Sequence, residues 1–447
     1  MKTRTTHTLF EYESIFYSQL GWADDDTRIN QLEKLNTDCG ETLLHLGRHK
    51  LTATQFVGLI RIGNISLQIL PKIDFIPDSQ EEQKVSEREV TAASNLMTML
   101  AYAYNLCIHP QDAELMKKSR GDWFEWLSFL FSSELNRQLR LGMDRTYIEK
   151  EEALPMLRGK WLLARQYARS PIVIDRFEVR YADYSAYTIL NRVFYAAVTR
   201  LLRITRDQTN YRLLLSAYSY LAELDANVEP PSGYQELVHF TRLNERFKTA
   251  YQLADLFLES SIFHFSVGRQ DVTAFVFDMN RLFEEYVAAF LIKHKHEIFG
   301  DQAEQMTVIS QAVGRYDYFL KQTIPGNRDV FRLKPDILIR RSGQLACIAD
   351  TKYKMLEPRK RDLGLQEEDS YQMLAYSIVL ECDRIILLYP QPESIPFRAE
   401  YEVNRHNALL GLAGINLHQP LDKPANMIKD MQRIFGFLVK EENYAKV

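Results

Sequence analysis

The sequence predicts a multidomain α+β protein with a small N-terminal β domain, a mainly helical middle, and a C-terminal α/β domain built on a central mixed sheet. Three observations carry that expectation. A chain of 447 residues makes roughly three domains at about 150 residues each, and 46% apolar with 26% charged residues is ordinary globular composition. Only 18 Gly and 15 Pro punctuate it, so long regular elements are expected rather than linkers or repeats. The hydrophobic period also changes along the chain, from short β-type runs to helical spacing and then to both in alternation.

In the first 75 residues the β-type runs are Thr42 to Leu46, Phe56 to Ile62 and Ile65 to Leu70, punctuated by Gly47, Gly58 and Gly63-Asn64. They end at Pro71-Lys72-Ile73-Asp74, and residues 77–89 are polar and charged, a linker or the solvated start of a helix. From about Thr91 to Leu224 the spacing is helical, as in Leu127, Leu130, Phe131, Leu135 and Leu139, with an irregular section from Arg158 to Tyr184. Glu229-Pro230-Pro231-Ser232-Gly233 is a turn, and one further helix reaches a boundary near residue 268. Beyond it come an amphipathic helix from Asp278 to Lys293, β-like segments, a helix from about Asp369 to Leu380, and a strand from Arg384 to Tyr389 closed by Pro390. The expected domains are therefore 1–75, 76–268 and 269–447.

A formal charge of −4 excludes a protein coated in basic charge, so contact with nucleic acid would need a local basic groove. No stretch reaches about 18 apolar residues and no apolar leader follows Met1, which predicts a cytoplasmic chain with no membrane span. Cys39, Cys107, Cys347 and Cys382 lie far apart without zinc-type spacing and read as buried thiols. There is no Gly-x-x-x-x-Gly-Lys-[Ser/Thr] loop to cradle a nucleotide and no Gly-x-Ser-x-Gly elbow. His294 and His296 read as surface histidines at a helix end, and Arg48-His49-Lys50 as a solvated turn.

The chemistry lies in the last third. Pro335-Asp336-Ile337-Leu338-Ile339-Arg340-Arg341 is followed by a Ser342-Gly343 turn and by Gln344 to Tyr353, which contains Asp350-Thr351-Lys352. Two strands meeting at that turn bring Asp336 and Asp350 close, and alternation puts Lys352 on the face of Asp350. Carboxylates held together repel unless a cation neutralises them, and a hard divalent ion such as Mg²⁺ prefers such oxygen ligands. For the two to share a face, paired residue numbers must sum to an even value; the expectation is therefore an odd-length, bulged turn and no regular two-residue one.

This pattern resembles the PD-(D/E)xK nuclease superfamily, with Pro335-Asp336 as its PD element, Asp350-Thr351-Lys352 as its DxK element, and Gln372-Met373-Leu374-Ala375-Tyr376 as the QxxxY helix of RecB-like members. The resemblance implies that Asp336 and Asp350 bind Mg²⁺, with Mn²⁺ able to substitute, helped by the Thr351 carbonyl, while Lys352 serves the attacking water. Gln372 and Tyr376 would approach the DNA backbone or brace the site. An acidic residue on the preceding helix often completes it; helical geometry does not choose between Glu284 and Glu285.

Asn280-Arg281-Leu282-Phe283-Glu284-Glu285-Tyr286-Val287 is similar to a segment of the McrC family, and this favours Glu284 as a metal ligand. Phe56 to Arg61 through Leu67 to Ile73, and Leu157-Arg158-Gly159-Lys160 with Asn191-Arg192, extend the resemblance along most of the chain. It implies a nuclease subunit of a modification-dependent restriction system that cuts double-stranded DNA. The partner would be a McrB-like hexameric AAA+ GTPase that recognises modified cytosine and whose GTP hydrolysis the N-terminal region stimulates. Residues 1–75 would then be a docking domain whose deletion leaves the nuclease folded. The alternatives are a self-sufficient RecB-like nuclease and a non-catalytic adaptor that activates a GTPase.

Overall fold

The computed structural model describes residues 5–24, 26–72, 82–106, 123–169, 175–222, 229–259, 261–267, 270–310, 318–322, 328–354, 356–357, 360, 363–390, 398–403 and 407–439. The chain divides into two compact units, one made of residues 1–121 with 260–447 and the other of residues 122–259. This differs from the expected three-way division at 75 and 268. The reason is a strand pairing between residues far apart in sequence.

In the first unit, β1 (Thr5–Phe10), β5 (Phe56–Ile62) and β6 (Ile65–Leu70) lie in one five-stranded sheet with β10 (Ser261–Val267) and β11 (Gln270–Asp278), in the order β1-β6-β5-β11-β10. β5 and β6 form the hairpin that Gly63-Asn64 announces, while β11 runs antiparallel to β5 with Val272 opposite Ile62 and Asp278 opposite Phe56. Leu9, Ile60, Ile62, Leu67 and Ile69 share one buried cluster with Val272, Ala274 and Val276. Gly58 faces β11 at φ +146°, where a Cβ would come within 2.1 Å of the Phe275 carbonyl, so the close approach of the two strands requires glycine there. The N-terminal β segment thus shares its sheet with residues 261–278 and is not a separable domain.

A helix at Thr27–Cys39 packs its Leu32 and Leu35 into that cluster, capped by the Asp26 side chain, which accepts from Arg28 N–H. No helix was expected there. A small sheet of β2 (Ser14–Phe16), β4 (Lys50–Ala53) and β3 (Leu44–Leu46) completes the region, with β3 shorter than the expected Thr42 to Leu46 run. Arg48-His49-Lys50 sits at its exposed turn, where His49 Nδ1 lies 2.7 Å from Asp24.

One buried group in this unit makes its stability depend on pH. Glu11 is 1% exposed, and burial pushes its carboxyl up to about 8 from 4.5, against the opposing pull of hydrogen bonds from Tyr353 and the Lys72 N–H. The folded state therefore takes up a proton that the unfolded state releases above 4.5. The stability this contributes is complete below 4.5 and is lost as pH rises through 8. Glu11→Gln should flatten that fall, as read from urea unfolding at about pH 5 and about pH 8.5.

The same unit holds a six-stranded mixed sheet, ordered β12 (Met306–Ser310), β15 (Ile337–Arg341), β16 (Gln344–Thr351), β17 (Arg384–Pro390), β19 (Leu409–Ile415), β18 (Arg398–Glu402). β16, β17 and β19 are parallel and the outer pairs antiparallel. The parallel step from β16 to β17 needs a crossover, and the helix Glu367–Leu380 supplies it close to where the sequence places it. Met279–Lys293 is the expected amphipathic helix, capped by Asp278. Beside the sheet stands the ladder of β13 (Tyr318–Gln322) and β14 (Arg328–Arg332).

The second unit is helical, with Trp123–Leu139, Ile189–Ile204, Gln208–Leu221 and Lys248–Glu259 packing edge-on aromatic contacts such as Phe124 and Phe131 against Phe257. The section read as irregular supplies β8 (Lys160–Trp161) and β9 (Phe177–Ser185) of a sheet whose third strand, β7 (Thr146–Leu154), lies in the stretch read as helical. Charged residues hide its pattern; cross-strand pairs such as Lys150 with Asp183 at 2.7 Å and Glu151 with Arg180 at 2.6 Å take the place of apolar alternation. Gly159, at φ +72°, lets the chain pass where a Cβ would meet the Arg180 carbonyl at 2.4 Å. Asn191 is buried and donates to the carbonyls of Asp144 and Ala186.

Among the described residues no helix is long and apolar enough to cross a membrane. Cys347 and Cys382 are buried, Cys39 is only half-buried, and Cys107 lies outside the described residues. His294 is buried rather than on the surface, because the Tyr102 hydroxyl engages its Nε2 at 2.8 Å; His296 is exposed.

Candidate active site

The site depends on strand parity. Ser342 and Gly343 both have positive φ, 51° and 86°, as in a two-residue type I′ turn, and Arg341 pairs with Gln344. That corrects the expectation of an odd-length turn. Carried through unbroken, this register would place Asp336 and Asp350 on opposite faces. The register shifts between Ile339 and Arg340, however, so that Arg340 pairs with Leu345 but Ile339 with Cys347, and Ala346 is the extra residue. From there Ile337 pairs with Ala349, and one more step sets Asp336 opposite Asp350. A bulge inside the strand does what the turn was expected to do.

Asp336 accepts from Thr351 twice, from the backbone N–H at 2.7 Å and from the hydroxyl at 2.8 Å. Asp350 is 1% exposed, and its Oδ2 forms an ion pair with Lys352 Nζ at 2.6 Å. Burial first and then the Asp336 charge push the Asp350 carboxyl up to about 7, against the pull of Lys352. Asp336 is raised too, chiefly by burial. Burial works to lower Lys352, but the Asp350 charge and contact outweigh it and hold the ammonium above its ordinary value.

Lys352 Nζ also donates to Gln372 Oε1 at 3.0 Å; Gln372 Nε2 donates to the Tyr376 hydroxyl at 2.8 Å, and that hydroxyl donates to the Lys334 carbonyl at 3.0 Å. This chain of bonds returns to the backbone two residues before Asp336. Gln372 and Tyr376 brace the lysine in the one helical turn that separates them, and Tyr376, 2% exposed, has no free path to a ligand. Gln372 reaches the cleft.

That cleft encloses about 900 Å³. Asp336, Asp350, Thr351, Lys352 and Gln372 line it together with Glu284. Glu285 is drawn aside by Arg281 at 2.7 Å and is not part of the lining, a distinction helical angles alone did not make. Among the described residues no three His, Cys, Asp or Glu side chains gather closely enough to hold a metal, so Glu284 shares the cleft without joining the aspartate pair. Two carboxylates and a backbone carbonyl nonetheless suit Mg²⁺, which commonly uses one or two carboxylates and keeps several waters. Two carboxylates held close, with Lys352 alone set against Asp350 Oδ2 among the described ion pairs, are the feature such an ion would neutralise.

Sequence reasoning missed Lys354, which pairs with buried Asp369 at 2.5 Å and whose alternation with Lys352 was there to be read. It also missed Arg332 and Lys334 on the rim, which no local pattern marks.

Fold and cleft together define a multidomain α/β protein with a buried and a half-buried aspartate side by side and a braced lysine at the end of a mixed sheet. A family model described as the McrBC 5-methylcytosine restriction system component matches residues 51–390, and the chain belongs to that family. Among solved structures, a chain of the refined half-complex from the tetradecameric assembly of Thermococcus gammatolerans McrB AAA+ hexamers with bound McrC is similar in fold. It is 22% identical over 97% of this chain and 100% of that chain, with a TM-score of 0.60. The cryo-EM structure of the Thermococcus gammatolerans McrBC complex has a chain 27% identical over 65% of this chain and 88% of that chain, with a TM-score of 0.47. No curated protein is similar enough in sequence to match.

Proposed function

We propose that this chain is the Mg²⁺-dependent DNA endonuclease subunit of a GTP-dependent, modification-dependent restriction complex, with a site of the PD-(D/E)xK type. The observation that carries the reading is the aspartate pair brought to one face by the bulge at Ala346, with Lys352 beside it in an open cleft. Asp336, Asp350 and the Thr351 carbonyl would hold Mg²⁺, which when bound polarises a phosphodiester and lowers the pKa of a water. Lys352 orients that water and offsets charge developing at phosphorus, and the Gln372–Tyr376 brace keeps its ammonium in place. Glu284 faces the same space and is assigned as the third acidic residue.

The family and the fold likeness to McrC-bearing assemblies support a hexameric AAA+ GTPase as partner, and the sequence has no nucleotide loop of its own. With a net charge of −4, the chain alone should hold duplex DNA weakly at physiological salt, and docking on a DNA-bound partner would raise the effective concentration of DNA at its site. Because the first 72 residues share a sheet with residues 270–278, motor engagement is assigned to the intact chain and not to an excisable module. The test is cleavage of DNA carrying 5-methylcytosine by the chain with and without its partner GTPase and GTP. Cutting should need all components. Robust, nucleotide-independent cutting of unmodified DNA by the chain alone would favour a self-sufficient nuclease instead.

A further inference from the structure

Glu11 lies in the turn between β1 and β2, and two other segments, Leu70 to Lys72 and the chain at Tyr353, converge on it. Its own N–H donates to the Leu70 carbonyl at 3.0 Å, while its Oε2 accepts from Lys72 N–H at 2.9 Å and from the Tyr353 hydroxyl at 2.7 Å. The other oxygen, Oε1, has no hydrogen-bond partner, and the residue is almost wholly shielded from water. A carboxyl in such a place is costly to bury, and its two hydrogen bonds offset only part of that cost, since they do not keep it from being pushed up to about 8. Stability alone does not account for it.

Its reach does. Lys352 makes the last ladder bond of the catalytic strand, its N–H donating to the Leu388 carbonyl at 2.8 Å; Lys354 N–H then turns back to the Lys352 carbonyl at 2.9 Å. Beyond that point the sheet no longer holds the chain. The Tyr353 side chain takes over, packed on Phe283 with ring centroids 5.6 Å apart and bonded at its tip to Glu11. The two neighbouring lysines both engage acids of the site, Lys352 with Asp350 and Lys354 with Asp369.

We infer that Glu11 is a positioning residue for the reaction: by holding Tyr353, it fixes the backbone from which Lys352 reaches Asp350 and Gln372. The inference rests on the nuclease reading above and makes the N-terminal strands part of the catalytic apparatus. Lys352 must satisfy two partners at once, at 2.6 Å and 3.0 Å, so a displacement of about 1 Å at its root is enough to break the arrangement.

The test compares Glu11→Ala, Tyr353→Phe, the double variant and Glu11→Gln in the full chain with its partner GTPase. Each of the first two should lower kcat for cleavage about tenfold to a hundredfold at unchanged KM for DNA. The double variant should be no worse than either single one, because both remove the same contact, and Glu11→Gln, which keeps an acceptor for Tyr353, should recover most of the rate. A second readout uses the chain alone, without metal, DNA or partner: the rate at which an acylating reagent modifies Lys352 Nζ, mapped by peptide mass spectrometry. It should rise severalfold in both single variants and return towards wild type in Glu11→Gln. Unchanged Lys352 labelling in a folded Tyr353→Phe chain, or losses of rate that multiply in the double variant, would overturn the inference. If the wild-type complex cuts no DNA, the nuclease reading falls, while the labelling still decides the positioning role.

Discussion

Lys352→Ala should abolish DNA cleavage while leaving the fold and the partner's GTPase response in place. The lysine ammonium pairs with buried Asp350 and donates to Gln372, both residues of the site. Losing a group that orients the nucleophile or offsets charge in the transition state costs on the order of 10² to 10⁴ in rate. The usual large penalty for stripping the partner from a buried charge is reduced here, because the Asp350 carboxyl is already pushed up to about 7 and, without the lysine that pulls it down, can take up a proton. Melting temperature should therefore change little. Lys352→Arg should not rescue, since a planar guanidinium does not fit between Asp350 and Gln372 as a point charge does. Single-turnover cleavage beside a thermal melt decides it, and cutting by Lys352→Ala at the wild-type rate would refute the role.

Deletion of residues 1–72 should unfold the first unit rather than release a tidy nuclease. It removes β1, β5 and β6, strips the ladder partner from β11, and exposes Val272, Ala274 and Val276, which are now buried. At about 1.5 to 3 kcal/mol for each large apolar side chain uncovered, the loss of that cluster rivals the whole stability of a typical domain, about 5 to 15 kcal/mol. The truncated chain should show no cooperative melt by near-ultraviolet circular dichroism. A sharp transition at the full chain's temperature would contradict the shared-sheet account.

Much of the candidate site's geometry was legible in the sequence because its signals are local. Asp336, Asp350 and Lys352 flank a turn, Gln372 and Tyr376 are one helical turn apart, and the helix and strand after them fall close to where their periodicity puts them. What was not legible is non-local or hidden by charge. Nothing in Leu345-Ala346-Cys347 announces a bulge, yet it decides the face on which Asp336 stands. β7 carries Glu149, Lys150, Glu151 and Glu152 in a row and is held by ion pairs across the ladder, so hydrophobic alternation passes over it. The helix Thr27–Cys39 has an apolar stripe of only Ile29, Leu32 and Leu35, and its neighbours in sequence are strands. The domain division failed for one reason: β11 returns after an intervening helical unit to pair with β5.

Whether the aspartate pair is a metal-dependent phosphodiesterase site is measured most directly by GTP-dependent cleavage of 5-methylcytosine DNA by the reconstituted complex across a Mg²⁺ titration, with wild type beside Asp350→Asn. Wild type should cut with a rising, saturating dependence on Mg²⁺, and Asp350→Asn should cut at no Mg²⁺ concentration although it binds the partner normally. Cleavage by Asp350→Asn with the wild-type rate and Mg²⁺ dependence would contradict the account.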